Sequence, residues 1–139
     1  SNFKMNEFSA LMGVLELERI SSRIKRRRDI ASIYKDNLDP SKYYVVSDSE
    51  HQFGTYYKQI VVSKSLNSSK IKEYCLEQGI SITGGVYHTP VHQQPIYTNL
   101  NNKSLVRSEE FANMHFCPPC YPELKNEDIK YICGVLNEL

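Results

Sequence analysis

The sequence has no apolar run near the roughly 20 residues that a membrane-spanning helix needs, and its first residues lack the basic and apolar regions of a secretory signal. We therefore expect a cytoplasmic protein. Four cysteines among 139 residues are too few to predict a disulfide-rich scaffold, so most should be reduced thiols packed as small core residues. Tryptophan is absent, and ten tyrosines and five phenylalanines supply the bulky side chains.

Charge of one sign does not predominate either. The net charge is +1 and the pI is about 7.6, which disfavours the overall basic field of nucleic-acid-binding proteins. One basic run, RIKRRR over Arg23–Arg28, is expected to be a solvated helix face paired with carboxylates such as Asp29, with a polyanion site as the alternative. The length predicts a single domain, residues 1–139.

Several catalytic patterns are missing around the most polar loop of the chain: a Ser-His-Asp order, a glycine-rich phosphate loop after a strand, and a close carboxylate pair. A Cys-x-x-Cys pair is present at Cys117 and Cys120, but further ligands are limited to His115, Cys133 and Cys75. A closed zinc site needs about four ligands. We therefore expect no zinc and favour plain packing, leaving a metal or redox site as alternatives.

Periodicity predicts an α+β fold, with a small antiparallel sheet, helices packed on one face and a long N-terminal helix. That helix should begin at the Asn6 cap and end before Pro40, and it should bend, break near Gly13 or pack against something outside the chain. Strands are expected at 43–46, 55–62 and 80–82. The later helices should span Ser68 or Ser69 to Gly79, 108–113 and 126–137.

The segment from Thr83 to Leu105 is rich in Gly, Pro, His, Gln, Asn and Tyr. A loop this long within a compact domain is usually functional or disordered. Tyr87, His88 and His92 give it a dense set of hydrogen-bonding groups, suited to a polar or phosphorylated ligand. We therefore expect this loop to bind a ligand.

Four segments, in order, resemble the C-terminal part of the DegT/DnrJ/StrS family of pyridoxal-phosphate-dependent sugar aminotransferases. They are NFKMNEFSALMGVLELERI, RRRDIASIYKDNL, GISITGGVYHTPVHQQPIY and SEEFANMHFCPPCYPELKNEDIKYI. The resemblance implies the small domain of a fold-type-I aminotransferase. The first residues, Ser1 and Asn2, without an initiator Met, are either native or a cleavage remnant.

The same resemblance implies roles for particular residues. Asn2 matches an asparagine that reaches the cofactor phosphate of the neighbouring subunit, and Lys4 occupies the place of the usual arginine, without its bidentate fork. His92 matches a histidine that faces the nucleotide-sugar, with Tyr87 and His88 on the same approach.

For the whole protein, the resemblance implies pyridoxal phosphate, a homodimer or larger assembly, and amino transfer from a donor such as glutamate to a keto-sugar nucleotide. The lysine that binds the cofactor lies upstream in the family, so we expect this chain alone to hold no cofactor and to be inactive. A sugar dehydratase or a regulator of the same family is the first alternative. A stand-alone metal-binding module that uses the two CPPC cysteines is the second.

Overall fold

The computed structural model describes residues 4–82, 84–97 and 104–139. The helices are α1 (Glu7–Asn37), α2 (Ser68–Glu77), α3 (Val106–Met114) and α4 (Asn126–Glu138). The strands are β1 (Tyr43–Val45), β2 (Val61–Ser63) and β3 (His115–Phe116), and two 3₁₀ turns span Val91–Gln93 and Pro95–Tyr97. Within these ranges, no helix combines the length and the apolar character needed to cross a membrane.

The sheet is antiparallel and has the order β1-β2-β3. Tyr43 lies opposite Ser63 at one end of the first pair, and Val61 lies opposite Phe116 in the second. The expected α+β fold with a small antiparallel sheet and a long N-terminal helix is confirmed. The short β3, which is not among the strands predicted from sequence, places the buried His115 opposite Val62.

Helix α1 begins and ends where its local signals predict. The Asn6 side chain accepts the Ser9 N–H at 2.8 Å, and the Leu38 N–H closes the last turn on the Tyr34 carbonyl. Of the three alternatives considered for this long helix, a break near Gly13 does not occur, because the helix runs through that residue over 31 residues. Only its C-terminal half enters the core, through Ile30, Ala31 and Tyr34.

The core lies where α1 and α4 pack together beside the sheet. The apolar face predicted for the last helix is buried, with Ile129, Ile132, Cys133 and Leu136 all in the core. Burial raises the pKa of Cys133 to about 12, because a thiolate there would lose its solvation. Cys133 and the equally buried Cys75 are free thiols, as expected.

Two of the predicted strands differ from the structure. The second strand begins only at Val61, because Tyr56 has a left-handed φ of +47° and its hydroxyl is held by the Asp48 N–H at 2.9 Å. The region 80–82 buries Ile80 and Ile82 without pairing in the sheet. Gly79 does end α2 in the left-handed conformation, with φ +75°, although the cap at the other end of α2 is Asn67.

The basic run of α1 forms the expected carboxylate-paired face only at Arg23, which pairs with Glu16, and its later arginines bond to the protein's own backbone. Arg26, Arg27 and Arg28 are half-buried, and each donates to backbone carbonyls of the surrounding loops. The carbonyls are those of Gly54, Tyr56, Tyr57, Cys120, Pro122 and Leu124. Arginine carries several donors in a rigid fork, so one side chain can join loops that are distant in sequence. Arg26, Arg27 and Arg28 therefore have a structural role.

Candidate functional site

The loop that carries the predicted binding residues lies between two clefts. Tyr87 and His92 line one cleft, of about 700 Å³, which opens between the loop and α3. His88 lines the other, of about 920 Å³, beside the CPPC segment. We call these the loop cleft and the CPPC cleft. The structure therefore brings together two of the three predicted residues and places the third on the opposite side.

The loop cleft has mostly apolar walls. Tyr87, Val91 and Tyr97 contribute from the loop, and Leu105 and Phe111 contribute from α3 and its start. Its polar groups are few and include the side chains of His92, Arg107 and Ser108. An apolar cleft with a few placed polar groups is the usual form of a small-molecule site, in which the polar groups orient the ligand.

His92 is the most constrained of the predicted binding residues. Its Nε2 lies 2.8 Å from Oε1 of Glu109, and only 11% of its side chain is exposed. Glu109 also accepts the Leu105 N–H at 2.9 Å and the Ser104 hydroxyl at 3.1 Å. These hydrogen bonds lower the pKa of the Glu109 carboxyl, and the bond with His92 has the largest effect. The carboxylate thus orients the imidazole, and Nδ1 is the ring nitrogen that Glu109 leaves for a ligand.

Glu109 was not selected from the sequence as a site residue. It lies in the first turn of α3, 17 residues after His92, where a carboxylate is favoured by the helix dipole and needs no other explanation. Its partnership with His92 is a tertiary contact. An acidic residue at the start of the helix that follows a histidine-containing loop is the signal that could have drawn attention to it.

The CPPC cleft is more polar. Lys58 lines it beside His88, and its Nζ donates to the Gly85 carbonyl at 3.0 Å. Asp128 and Tyr131, from the first turns of α4, form another part of the wall. This cleft therefore presents one cation, one carboxylate and one imidazole around a backbone that approaches closely at Gly85.

Cys117 and Cys120 line the CPPC cleft as thiols. Burial raises the pKa of both, which disfavours the thiolate that metal binding and disulfide exchange require. The Cys117 N–H donates to the Gly84 carbonyl at 3.1 Å, and the Cys120 thiol donates to the Tyr56 carbonyl at 3.3 Å. Across residues 4–82, 84–97 and 104–139, no three His, Cys, Asp or Glu side chains are grouped so as to hold a metal ion. The geometry gives the metal-binding alternative no support.

His115 was considered from sequence only as a further metal ligand, and the structure gives both ring nitrogens other partners. Nε2 accepts the Val86 N–H at 2.8 Å, and Nδ1 lies 2.6 Å from the Phe111 carbonyl. Burial lowers the pKa of this imidazole, which favours the neutral ring. The residue therefore joins β3 to the start of the loop.

The two residues matched to the cofactor phosphate lie at the start of the chain. Asn2 is outside the described residues, and Lys4 is exposed, just before α1. A lysine that binds pyridoxal phosphate must be desolvated beside the cofactor, yet no lysine within the described ranges is buried. The described residues alone therefore do not fit a complete site for this cofactor.

A model of the DegT/DnrJ/EryC1/StrS aminotransferase family matches residues 1–137. The chain belongs to this family. The resemblance of its four motifs is thereby confirmed, and the loop cleft lies within the matched region of an aminotransferase-family domain.

Individual curated relatives match almost the whole chain at moderate sequence identity. The GDP-perosamine synthase of Escherichia coli O157:H7 is 30% identical over 137 residues, covering 99% of this chain and 37% of that protein. A pleiotropic regulatory protein of Geobacillus stearothermophilus is 25% identical, covering 99% and 37%. This aminotransferase-family chain thus spans less than two fifths of the curated relatives that it matches.

A solved structure shows the same fold. The structure of DesI in the presence of its TDP-sugar product superposes with a TM-score of 0.88 at 20% sequence identity, covering 99% of this chain and 36% of that one. At 20% identity, this superposition supports the fold of this chain alone, including its long N-terminal helix.

Proposed function

We propose that residues 1–139 are the C-terminal domain of a pyridoxal-phosphate-dependent aminotransferase that transfers an amino group to a keto-sugar nucleotide. The loop cleft, with His92 oriented by Glu109 inside an apolar wall, is the observation that carries this proposal. Family membership supports the reaction type. The names of the matched proteins, which include a GDP-sugar synthase and an enzyme with a TDP-sugar product, support the substrate class.

The domain's own contribution is to bind and orient the substrate. The apolar wall of the loop cleft can contact the carbon faces of a sugar or a base, and Tyr87 and Tyr97 offer phenol groups at its mouth. Arg107 provides a cation suited to a diphosphate. His92 can then hydrogen-bond a sugar hydroxyl while Glu109 fixes its ring. His88 faces the CPPC cleft, so its assignment to the substrate depends on a ligand that reaches both clefts.

Pyridoxal phosphate supplies an electron sink for amino transfer when it is bound. Because no described lysine of this domain is buried, we assign the covalent attachment of the cofactor to the remainder of the enzyme. Asn2 and Lys4 are proposed to approach the cofactor phosphate of a neighbouring subunit, which requires a homodimer or larger assembly. The amino donor and a cytoplasmic location belong to the same proposal, and the inactivity of the isolated chain stays a prediction.

The test is an amino-transfer assay of the full-length enzyme with glutamate and keto-sugars linked to GDP or to TDP. We expect an amino-sugar nucleotide, detected by mass spectrometry, together with cofactor absorbance near 400 nm, an approximate expectation for the lysine-bound cofactor. Absence of both the product and the absorbance would refute the proposal.

A non-catalytic regulator is the second candidate, and the match to a pleiotropic regulatory protein favours it. The same assay separates the two functions. A protein that absorbs near 400 nm, an approximate expectation for the bound cofactor, but forms no amino sugar from either nucleotide series would favour the regulator. A deoxygenated keto-sugar product without added nitrogen would instead indicate the dehydratase.

A further inference from the structure

His115 occupies an unusual place for a polar side chain. It is only 1% exposed, it begins β3, and its imidazole faces Val86, at the start of the loop that carries Tyr87, His88 and His92. The backbone N–H of Val86 can only donate, so Nε2 must be the accepting nitrogen. Nδ1 therefore carries the proton and donates to the Phe111 carbonyl at 2.6 Å. Both nitrogens are satisfied by backbone groups in one neutral tautomer.

The ring fits this position on two further sides. Phe111 stacks on it, with ring centroids 4.5 Å apart and planes 7° from parallel. On the loop side, a Cβ added to Gly85 would lie 2.5 Å from Nε2, so glycine is what lets the backbone approach the ring. A second N–H, that of Tyr87, points to the same nitrogen at 3.4 Å. The contact is built from several groups and does not rest on one bond.

The segment held by this ring leads directly to the predicted binding residues. Tyr87 follows Val86 and enters the loop cleft, whereas His88 follows and enters the CPPC cleft. The same segment is anchored from the opposite side, because Lys58 donates to the Gly85 carbonyl. The direction in which Tyr87 and His88 leave the backbone is therefore set between the His115 ring and the Lys58 ammonium.

We propose that His115 is a positioning residue for substrate binding, which holds the loop so that Tyr87 and His88 diverge into their two clefts. The inference rests on the proposed function only in taking the loop as the substrate-binding element. His115 touches neither cleft in this arrangement, so it acts through the Val86 and Tyr87 amides.

The surroundings keep the ring in its accepting form. Burial lowers its pKa, and the charges of His88 from the loop and Lys72 from α2 act in the same direction. The carbonyls of Phe111 and Ala112 in α3 oppose them by bonding to the protonated nitrogen. A neutral imidazole at physiological pH is what the Val86 bond requires.

The test compares two substitutions in the full-length enzyme. His115→Phe keeps an aromatic ring against Phe111 but removes the acceptor, whereas His115→Gln places a carbonyl oxygen near the position of Nε2. For His115→Phe we expect hydrogen exchange of the peptide spanning 84–90 to accelerate at least tenfold. The KM for the GDP- or TDP-linked keto-sugar should rise five- to tenfold with kcat within twofold of wild type. His115→Gln should restore both values to within twofold.

Gly85→Ala provides an independent variant if His115→Phe fails to fold, because it pushes the loop from the ring without altering the histidine. It should raise KM in the same way. Unchanged exchange in the variants, while His92→Ala raises KM, would overturn the positioning role. A loss of kcat at constant KM would overturn it as well. Faster exchange with no KM change in either His115→Phe or His92→Ala would instead show that the loop does not bind substrate, which refutes that part of the proposed function.

Discussion

Removal of the Arg27 guanidinium should destabilise the chain more than removal of an exposed arginine from the same helix. Arg27 Nη1 donates to the carbonyls of Tyr57 and Cys120, each at 2.9 Å, and thereby joins α1 to two loops. A hydrogen bond to a charged group contributes roughly 1.5–3 kcal/mol. The Tyr57 bond is exposed, so water replaces most of it, and the part-buried Cys120 bond dominates. We expect Arg27→Met to lower the free energy of unfolding by about 2 kcal/mol.

The matched control is Arg19→Met, which removes the same charge and introduces the same side chain on an exposed turn of α1. Urea unfolding followed by circular dichroism measures both variants. With an m-value of about 2 kcal/mol/M, Arg27→Met should lower the midpoint by about 1 M, and Arg19→Met should change it by less than about 0.3 M. Equal midpoints for Arg27→Met and Arg19→Met would refute the bridging role.

Three further predictions concern the site, its pH dependence and the exposed helix. In the full-length enzyme, His92→Ala should raise the KM for the keto-sugar nucleotide by about tenfold, equivalent to about 1.4 kcal/mol, while cofactor absorbance stays unchanged; normal KM with reduced kcat would give His92 a chemical role. Because the folded pKa of His115 is lowered, the unfolded chain binds the proton more readily, and stability should fall as the pH drops below the unfolded value of about 6.5. His115→Gln should lose less between pH 7.5 and 5.0 in urea unfolding, and equal losses would contradict this. Leu11, 58% exposed on α1, should support self-association at micromolar concentration; sedimentation should show that Leu11→Glu lowers the mass whereas Ser21→Glu does not, and a monomeric wild type would contradict the prediction.

The elements that could be predicted from sequence are those whose ends depend on neighbouring residues. The Asn6 cap, the Pro40 stop and the left-handed Gly79 are local signals, and the apolar stripe of α4 needs only helical periodicity. The strand expected over 55–62 was right only at Val61 and Val62, because Tyr56 adopts a left-handed φ and the residues before Val61 meet a competing tertiary partner. Arg27, 30 residues earlier, takes the Tyr57 carbonyl.

Tyr87, His88 and His92 were selected from sequence as the candidate site, which stays a prediction, and the arrangement of their side chains was not predicted. The pairing of His92 with Glu109 and of His115 with Val86 joins residues 17 and 29 positions apart. Neither partner is indicated by a spacing, because the loop between them has no regular period. The separation of His88 from Tyr87 into different clefts likewise depends on how the backbone is held at Gly85.

Helix α1 is packed at its C-terminal end and exposed at its N-terminal end, so a force on the exposed end would turn the helix about its packed end. Its core contacts begin near the arginine run, so about 16 of its 31 residues project beyond them, a length of roughly 24 Å. A tilt of about 5° around the packed end would displace the free tip by about 2 Å over that length. The same rotation acts on Arg26 and Arg27, whose carbonyl partners lie in the loops around the CPPC cleft. A protein that binds the exposed end of α1 would therefore act on the walls of that cleft through the hydrogen bonds of Arg26 and Arg27.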